Sequence, residues 1–327
     1  MPDVPIRLPS NRPADRFYRG GRRITDLRGD PPAGSHEPED WVASTTHVLG
    51  RPGVGETALA DGTTLATAVA ADPVGWLGEA HVARWGADTR LLTKLLDAGQ
   101  RLPVHAHPDG DFAQRHLGHA HGKTEAWVIL AGGTVHLGLR EDIDEQQLRA
   151  LVDGQRTERL LGLLHAIDVR PGDAVLVPAG RLHAIGEGVL LLEVQEPEDL
   201  SILLEWDGFD LDGASDGHLG LGFDVALQAV SRTRLDPDAL DALVTRGIVD
   251  GPVLPPAASA FFTVDRRPIA GAGALPAGFA VVLVEQGSVV LGGLRLTRGA
   301  TVVLPAGAGE VEASGSGVLL VARPPSA

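Results

Sequence analysis

Apolar residues along this chain recur mostly at strand spacing. Residues 41–44 (Trp-Val-Ala-Ser) form a first short strand-like run. Residues 63–88 shift towards a helical period through Leu65, Val69 and Trp76, interrupted at Pro73. The apolar stretch 90–97 reads as a buried strand leading into 102–107, where Val104 and then His105 and His107 alternate across a strand. A second strand begins at Glu125 with the run 126–130. Residues 142–153 and 157–166 return to helical spacing, with Leu148, Leu151, Val152, Leu160, Leu161 and Leu164 on one side. Strands resume at Ile167, continue at 174–177, and include 189–194, whose unbroken apolar character predicts burial on both faces.

Elsewhere the pattern is weaker. Residues 1–40 are rich in Pro, Gly and Arg and are expected to wrap the surface. Residues 207–222 read as a loop. Asp236-Pro237 opens a helix that Gly247 closes, and the Pro- and Ala-rich 253–260 behaves as a linker. The last segment repeats the first. VVLVEQGSVVLG (281–292) echoes WVILAGGTVHLG (127–138), TRGATVVLPAG (297–307) echoes RPGDAVLVPAG (170–180), and 318–321 echoes 189–192. In this second unit Glu310 stands where His183 stood, and no His-x-His precedes Val281. The pattern predicts a mainly β chain of two small barrel units: 1–206 with a helical insertion at about 140–166, a linker and helical segment at 207–260, and a degenerate unit without a metal site at 261–327.

Composition narrows the class. The 327 residues are 43% hydrophobic, enough for a sizeable core, and 42 Gly with 23 Pro suit short strands and tight turns. A formal net charge of −15 argues against nucleic acid or an anionic membrane as partner. There is no Cys and hence no disulfide framework. With no apolar leader or membrane-length run, a cytoplasmic protein is expected, as a monomer or small homo-oligomer.

The candidate chemistry lies in two frames. His105 and His107 share one strand face, Glu125 adds a carboxylate if its strand pairs nearby, and His183 follows the turn Pro178-Ala179-Gly180. Three imidazoles and a carboxylate make a divalent transition-metal site. The spacings match the two cupin motifs: Gly99-x5-His105-x-His107 with Glu125-x6-Gly132, then Gly172-x5-Pro178-x-Gly180-x2-His183. The 17 residues between His107 and Glu125 exceed the usual cupin gap. His116, His119 and His121, in a loop at 108–122, could form a second metal site, be solvated, or line the pocket mouth.

These pieces, with 91–109, 122–130 and 169–201 carrying most of the likeness, resemble the type I mannose-6-phosphate isomerases of the shorter bacterial kind. The resemblance implies a metal-dependent aldose–ketose isomerase of cupin (jelly-roll) fold. It implies one divalent ion, zinc in the family, and a sugar phosphate or free sugar as substrate, converted through a cis-enediol(ate). The family's ligands fall on His105 (usually Gln there), His107, Glu125 and His183. Its active-site lysine falls on Lys123, and acidic pocket residues fall on Glu193 and Asp199, as acid/base groups or as orienters of the ligands. The family's arginine falls on Leu203, which carries no charge. Either Arg181, where the family commonly has threonine, supplies that charge, or the substrate is not the usual phosphate ester. The rival readings are a sugar-binding cupin that kept the metal without catalysis, and a cupin oxygenase with a redox metal.

Overall fold

The computed structural model describes residues 2–327. Two antiparallel sheets face each other in the N-terminal half. One has six strands in the order Val244–Thr245, Ala174–Val177, Glu125–Ala131, Leu190–Gln195, Leu92–Asp97 and Glu39–Val42. The other has five: Ile202–Leu203, His105–Ala106, His183–Ile185, Gly133–Leu139 and Leu164–Val169. A seven-stranded sheet built on Thr263–Leu275, Ala280–Leu291 and Val311–Arg323 forms the C-terminal barrel unit.

Strand alternation divides the apolar residues between two cores. Trp127, Ile129, Val175, Val177 and Leu191 fill the N-terminal barrel. Their neighbours Ala126, Val128, Ala174, Leu176, Leu190 and Leu192 point the other way and pack on Val281, Leu283, Val303 and Leu320 of the C-terminal sheet. The run around 189–194 is therefore apolar on both faces because the strand has a core on each side.

The helical insertion covers the outer face of the five-stranded sheet. Helix Glu145–Asp153 opens with a capping box between Asp144 and Gln147. It and Thr157–Gly162 bury Leu148, Val152 and Leu160 against Val104, Ala184 and Ile202. The strand after it starts at Leu164, earlier than the spacing predicts.

Other expectations need correcting. Residues 63–88 form three short helices, Leu65–Ala71, Pro73–Leu77 and Glu79–Trp85. Pro73 starts the second, its missing N–H costing nothing at that position. The 108–122 segment contains a helix, Gly110–Leu117, capped by Asp109. The helix at Pro237–Asp241 is only five residues long, and the chain then pairs through Val244–Thr245 rather than continuing to Gly247. The supposed linker buries Val253, Leu254 and Ala258. The N-terminal 40 residues do more than wrap the surface. Ile6–Leu8 pairs with Thr301–Leu304 of the C-terminal sheet, and Ile24 and Leu27 are buried.

Candidate metal centre and active site

Register brings the polar residues together. In the six-stranded sheet Trp41 pairs with Lys94, Lys94 with Glu193, and Glu193 with Trp127, so all four share the inner face. Glu125 lies two residues before Trp127 and joins them. In the facing sheet His105 lies between Leu203 and His183. His107 follows on His105's side, its carbonyl accepting the Gly180 N–H at 2.7 Å. Two glycines place His183. Gly180 takes φ +82° in the preceding turn, and a Cβ on Gly186 would sit 2.2 Å from Thr134 O.

Each imidazole is oriented by a backbone carbonyl. His105 Nδ1 donates to Pro103 O at 2.8 Å, His107 Nδ1 to Leu200 O at 2.7 Å, and His183 Nδ1 to Arg181 O at 2.8 Å. A carbonyl can only accept, so the three Nδ1 atoms carry the protons and the three Nε2 atoms are left as acceptors, that of His107 meeting Lys123 Nζ at 3.1 Å. Ligand atoms of these histidines lie within 4.8 Å of one another. Glu125 Oε2 is 3.1 Å from His107 Nε2, and Oε1 is 3.4 Å from His183 Nε2. His183 Nε2 is buried and makes no well-directed hydrogen bond.

A buried acceptor without a donor is costly unless a cation takes its lone pair. The donor set thus fits one divalent ion, held by three nitrogens and a carboxylate. Burial, then His183 and His107, holds the His105 imidazolium well below its ordinary pKa. Burial and Lys123 pull His107 down to about 3, so both are neutral near pH 7. Burial opposes the charge on Glu125, but Lys123 and His107 outweigh it and keep the carboxylate ionised.

Two of the donors, His105 and Glu125, line a small chamber of about 40 Å³, with Arg16, Tyr18, Glu39, Lys94, Lys123, Glu193, Asp199 and Leu203 around it. Lys123 Nζ lies 2.9 Å from Glu125 Oε2 and 3.1 Å from His107 Nε2. Burial opposes its charge, yet Glu125 and Glu193 raise its pKa above the ordinary value. Burial and Glu125 push the Glu193 carboxyl up to about 6. Asp199 is buried too, but Arg16 and Lys94 hold its carboxyl below the usual range.

The structure gathers His105, His107, Glu125, His183, Lys123, Glu193 and Asp199 at one end of the barrel. Arg181 is not among them. Its guanidinium turns outward to Ser231 Oγ and Thr233 O, both at 3.2 Å, because its carbonyl rather than its side chain faces His183. The extra histidines do not converge either. His119 binds Glu198 and His121 binds Asp88, each at 2.7 Å, while His116 packs on Phe112. Among the described residues they form no second metal group. His119 and His121 instead line a cavity beside Asp199.

Four chamber residues escaped the sequence reading: Arg16, Tyr18, Glu39 and Lys94. Lys94 Nζ lies 3.5 Å from Glu193, 3.7 Å from Glu39 and 3.8 Å from Asp199, over the Trp41 ring. Glu39 accepts from Tyr18 Oη and, at 2.5 Å, from Trp41 Nε1. A lysine inside the buried run 92–97 was the available signal, since a buried ammonium requires partners.

No family model matches the chain. It is 32% identical over 228 residues to a mannose-6-phosphate isomerase of Streptococcus mutans, covering 66% of this chain and 68% of that protein. It is 29% identical over 246 residues to a mannose-6-phosphate isomerase of Bacillus subtilis, covering 71% and 74%. The crystal structure of a Bacillus subtilis mannose 6-phosphate isomerase superposes with a TM-score of 0.71 at 23% identity, over 98% of this chain and 99% of that one. A mutant phosphomannose isomerase from Salmonella typhimurium gives 0.74 at 16% identity, over 98% and 100%. These two structures agree with the barrel architecture, and the Streptococcus relative carries the assignment further: with its metal-ready wall at the mouth of a cupin barrel, this chain belongs to the mannose-6-phosphate isomerase family.

Proposed function

We propose that the chain interconverts mannose 6-phosphate and fructose 6-phosphate, with one zinc ion held by His105, His107, Glu125 and His183. The observation that carries this reading is the convergence of three imidazole Nε2 atoms and a carboxylate beside a chamber that contains two lysines and a carboxyl near neutrality. A nitrogen-rich set with one carboxylate suits zinc. When bound, such an ion orients and polarises the substrate's carbonyl and hydroxyl oxygens without redox change.

The chain's own groups supply the remainder. Isomerisation moves a proton between C1 and C2, which needs a base poised near the working pH. Glu193, raised to about 6, is that base: its carboxylate takes the proton from one carbon and returns it to the other. Lys123 and Lys94 reach into the chamber as ammonium groups and stabilise negative charge developing on the enediolate oxygens. Asp199 stays ionised and anchors Lys94 and Arg16, so it positions cations rather than transferring protons. No helix among the described residues is long and apolar enough to cross a membrane, and the chain lacks cysteine, which suits an activity in the cytoplasm.

The test is formation of fructose 6-phosphate from mannose 6-phosphate by purified protein, before and after chelation. Turnover abolished by chelation and restored by zinc is expected. A metal-replete protein that binds the sugar phosphate without converting it would leave only a binding role.

A further inference from the structure

The inner chamber is too small for a whole hexose phosphate. At about 40 Å³ it holds a few waters, or the reacting end of a sugar. It meets an outer chamber of about 250 Å³ at Arg16, Phe17, Asp199, Ser201 and Leu203. A substrate whose C1 and C2 lie at the inner wall must therefore extend its other end outward past Arg16.

The cations lining the outer chamber are Arg16 and Arg51. The Arg16 side chain is only 10% exposed, yet its contacts are loose. Its Nη atoms lie 3.3 and 3.4 Å from Asp199 and its Nε 3.4 Å from Glu39. Charge-assisted N–H···O bonds are shorter than that, about 2.7–2.9 Å. Arg16 Nε is moreover buried without a hydrogen-bond partner. Arg51 donates one Nη1–H to Ala14 O at 2.7 Å, and its Nη2 lies 3.8 Å from the exposed Asp15. Both guanidiniums retain capacity for a stronger acceptor. The carboxylates that line the same chamber compete weakly. Asp199 is already paired with Arg16 and Lys94 and accepts the Leu49 N–H at 3.2 Å, while Asp15 and Asp216 are solvent-exposed.

We propose that Arg16 and Arg51 form the subsite for the phosphate monoester of the substrate, Arg16 at the junction of the two chambers and Arg51 on the outer side. The subsite supplies from the N-terminal segment the positive charge that Leu203, opposite His105, does not carry. This inference rests on the isomerase reading above, so its test separates the two.

Binding of inorganic phosphate is measured by calorimetry on the zinc-loaded full chain, and KM and kcat for mannose 6-phosphate are measured alongside. Arg51→Gln and Arg16→Lys are compared with wild type; the lysine keeps the charge that Asp199 needs. Arg149→Gln, on the distant helix Glu145–Asp153, controls for net charge. Loss of the charged donor in Arg51→Gln, and of the planar two-donor fork in Arg16→Lys, predicts phosphate affinity weaker by about tenfold in both test variants, and KM higher by about the same factor. The expected kcat stays within about twofold, and Arg149→Gln behaves as wild type. Phosphate affinity within twofold of wild type in either test variant, or an equal loss in Arg149→Gln, overturns the subsite. So does a wild type that binds no phosphate. A wild type that binds phosphate through these arginines but does not isomerise the sugar phosphate overturns the isomerase reading and leaves the subsite standing.

Discussion

The two barrel units use one strand grammar and differ in what they enclose. Val175 and Val177 in the first are matched by Val302 and Leu304 in the second, each pair facing its own core. The turn Pro178-Ala179-Gly180 leads to the buried His183, whereas the equivalent turn at Pro305 leads to the exposed Glu310. The second interior is aliphatic throughout, from Val282 and Val284 to Leu319 and Val321. The barrel itself thus requires apolar alternation and tight turns. The chemistry comes from a few polar side chains placed at inner-face positions near one end, each with a partner that makes its burial tolerable.

The largest effect should come from removing those partners' common purpose. His107→Ala, or chelation, is predicted to lower turnover by about a thousandfold or more, because such an ion would lower the barrier by several kcal/mol. Metal content should fall with activity, while Glu310→Ala changes neither.

Next comes the reverse experiment, a carboxylate placed in the second core. Ala280 is fully buried beside Val282, on the face where Glu125 stands in the first unit. Ala280→Glu should cost about 3–5 kcal/mol in denaturant unfolding, because no lysine or histidine waits there. A cost below about 1 kcal/mol would show that partners are not what makes Glu125 tolerable.

Smaller effects sharpen the roles within the first unit. Lys123→Met should lower kcat about a hundredfold with zinc retained, as expected for one lost electrostatic contact to the developing oxyanion. The pH profile should show an acid limb at about 6 or below. The proposed base Glu193 would act as a carboxylate, so activity is expected to fall as pH drops through its pKa. A dication on Glu125 also removes part of the push that raises it. Glu193→Gln should remove most of the activity at every pH. An unchanged limb in that variant's residual rate would move the titration to another group.

The convergence of His105, His107, Glu125 and His183 was legible in the sequence because its signals are local. His-x-His fixes two donors on one strand face, and the Gly172–His183 frame carries its own turn. The chamber's other charges were not legible, because Arg16, Tyr18 and Glu39 come from an aperiodic Pro-, Gly- and Arg-rich segment that only tertiary pairing brings to the barrel. Arg181 misled because proximity in sequence to His183 says nothing about direction. The internal repeat was visible, but its phase was not. The echo sets Trp127 against Val281, whereas Trp127 faces its barrel core and Val281 faces the shared one. A shift of one residue in a strand exchanges its faces, and both strands carry a one-residue bulge, at Leu130 in the first unit and at Glu285 in the second.

The most direct measurement follows deuterium at C2 of mannose 6-phosphate in D2O against the zinc content of the same protein samples. Exchange rising in proportion to zinc, to one ion per chain, is the predicted result. Exchange that survives complete removal of the metal, or fully loaded protein that leaves C2 unlabelled, would contradict the account.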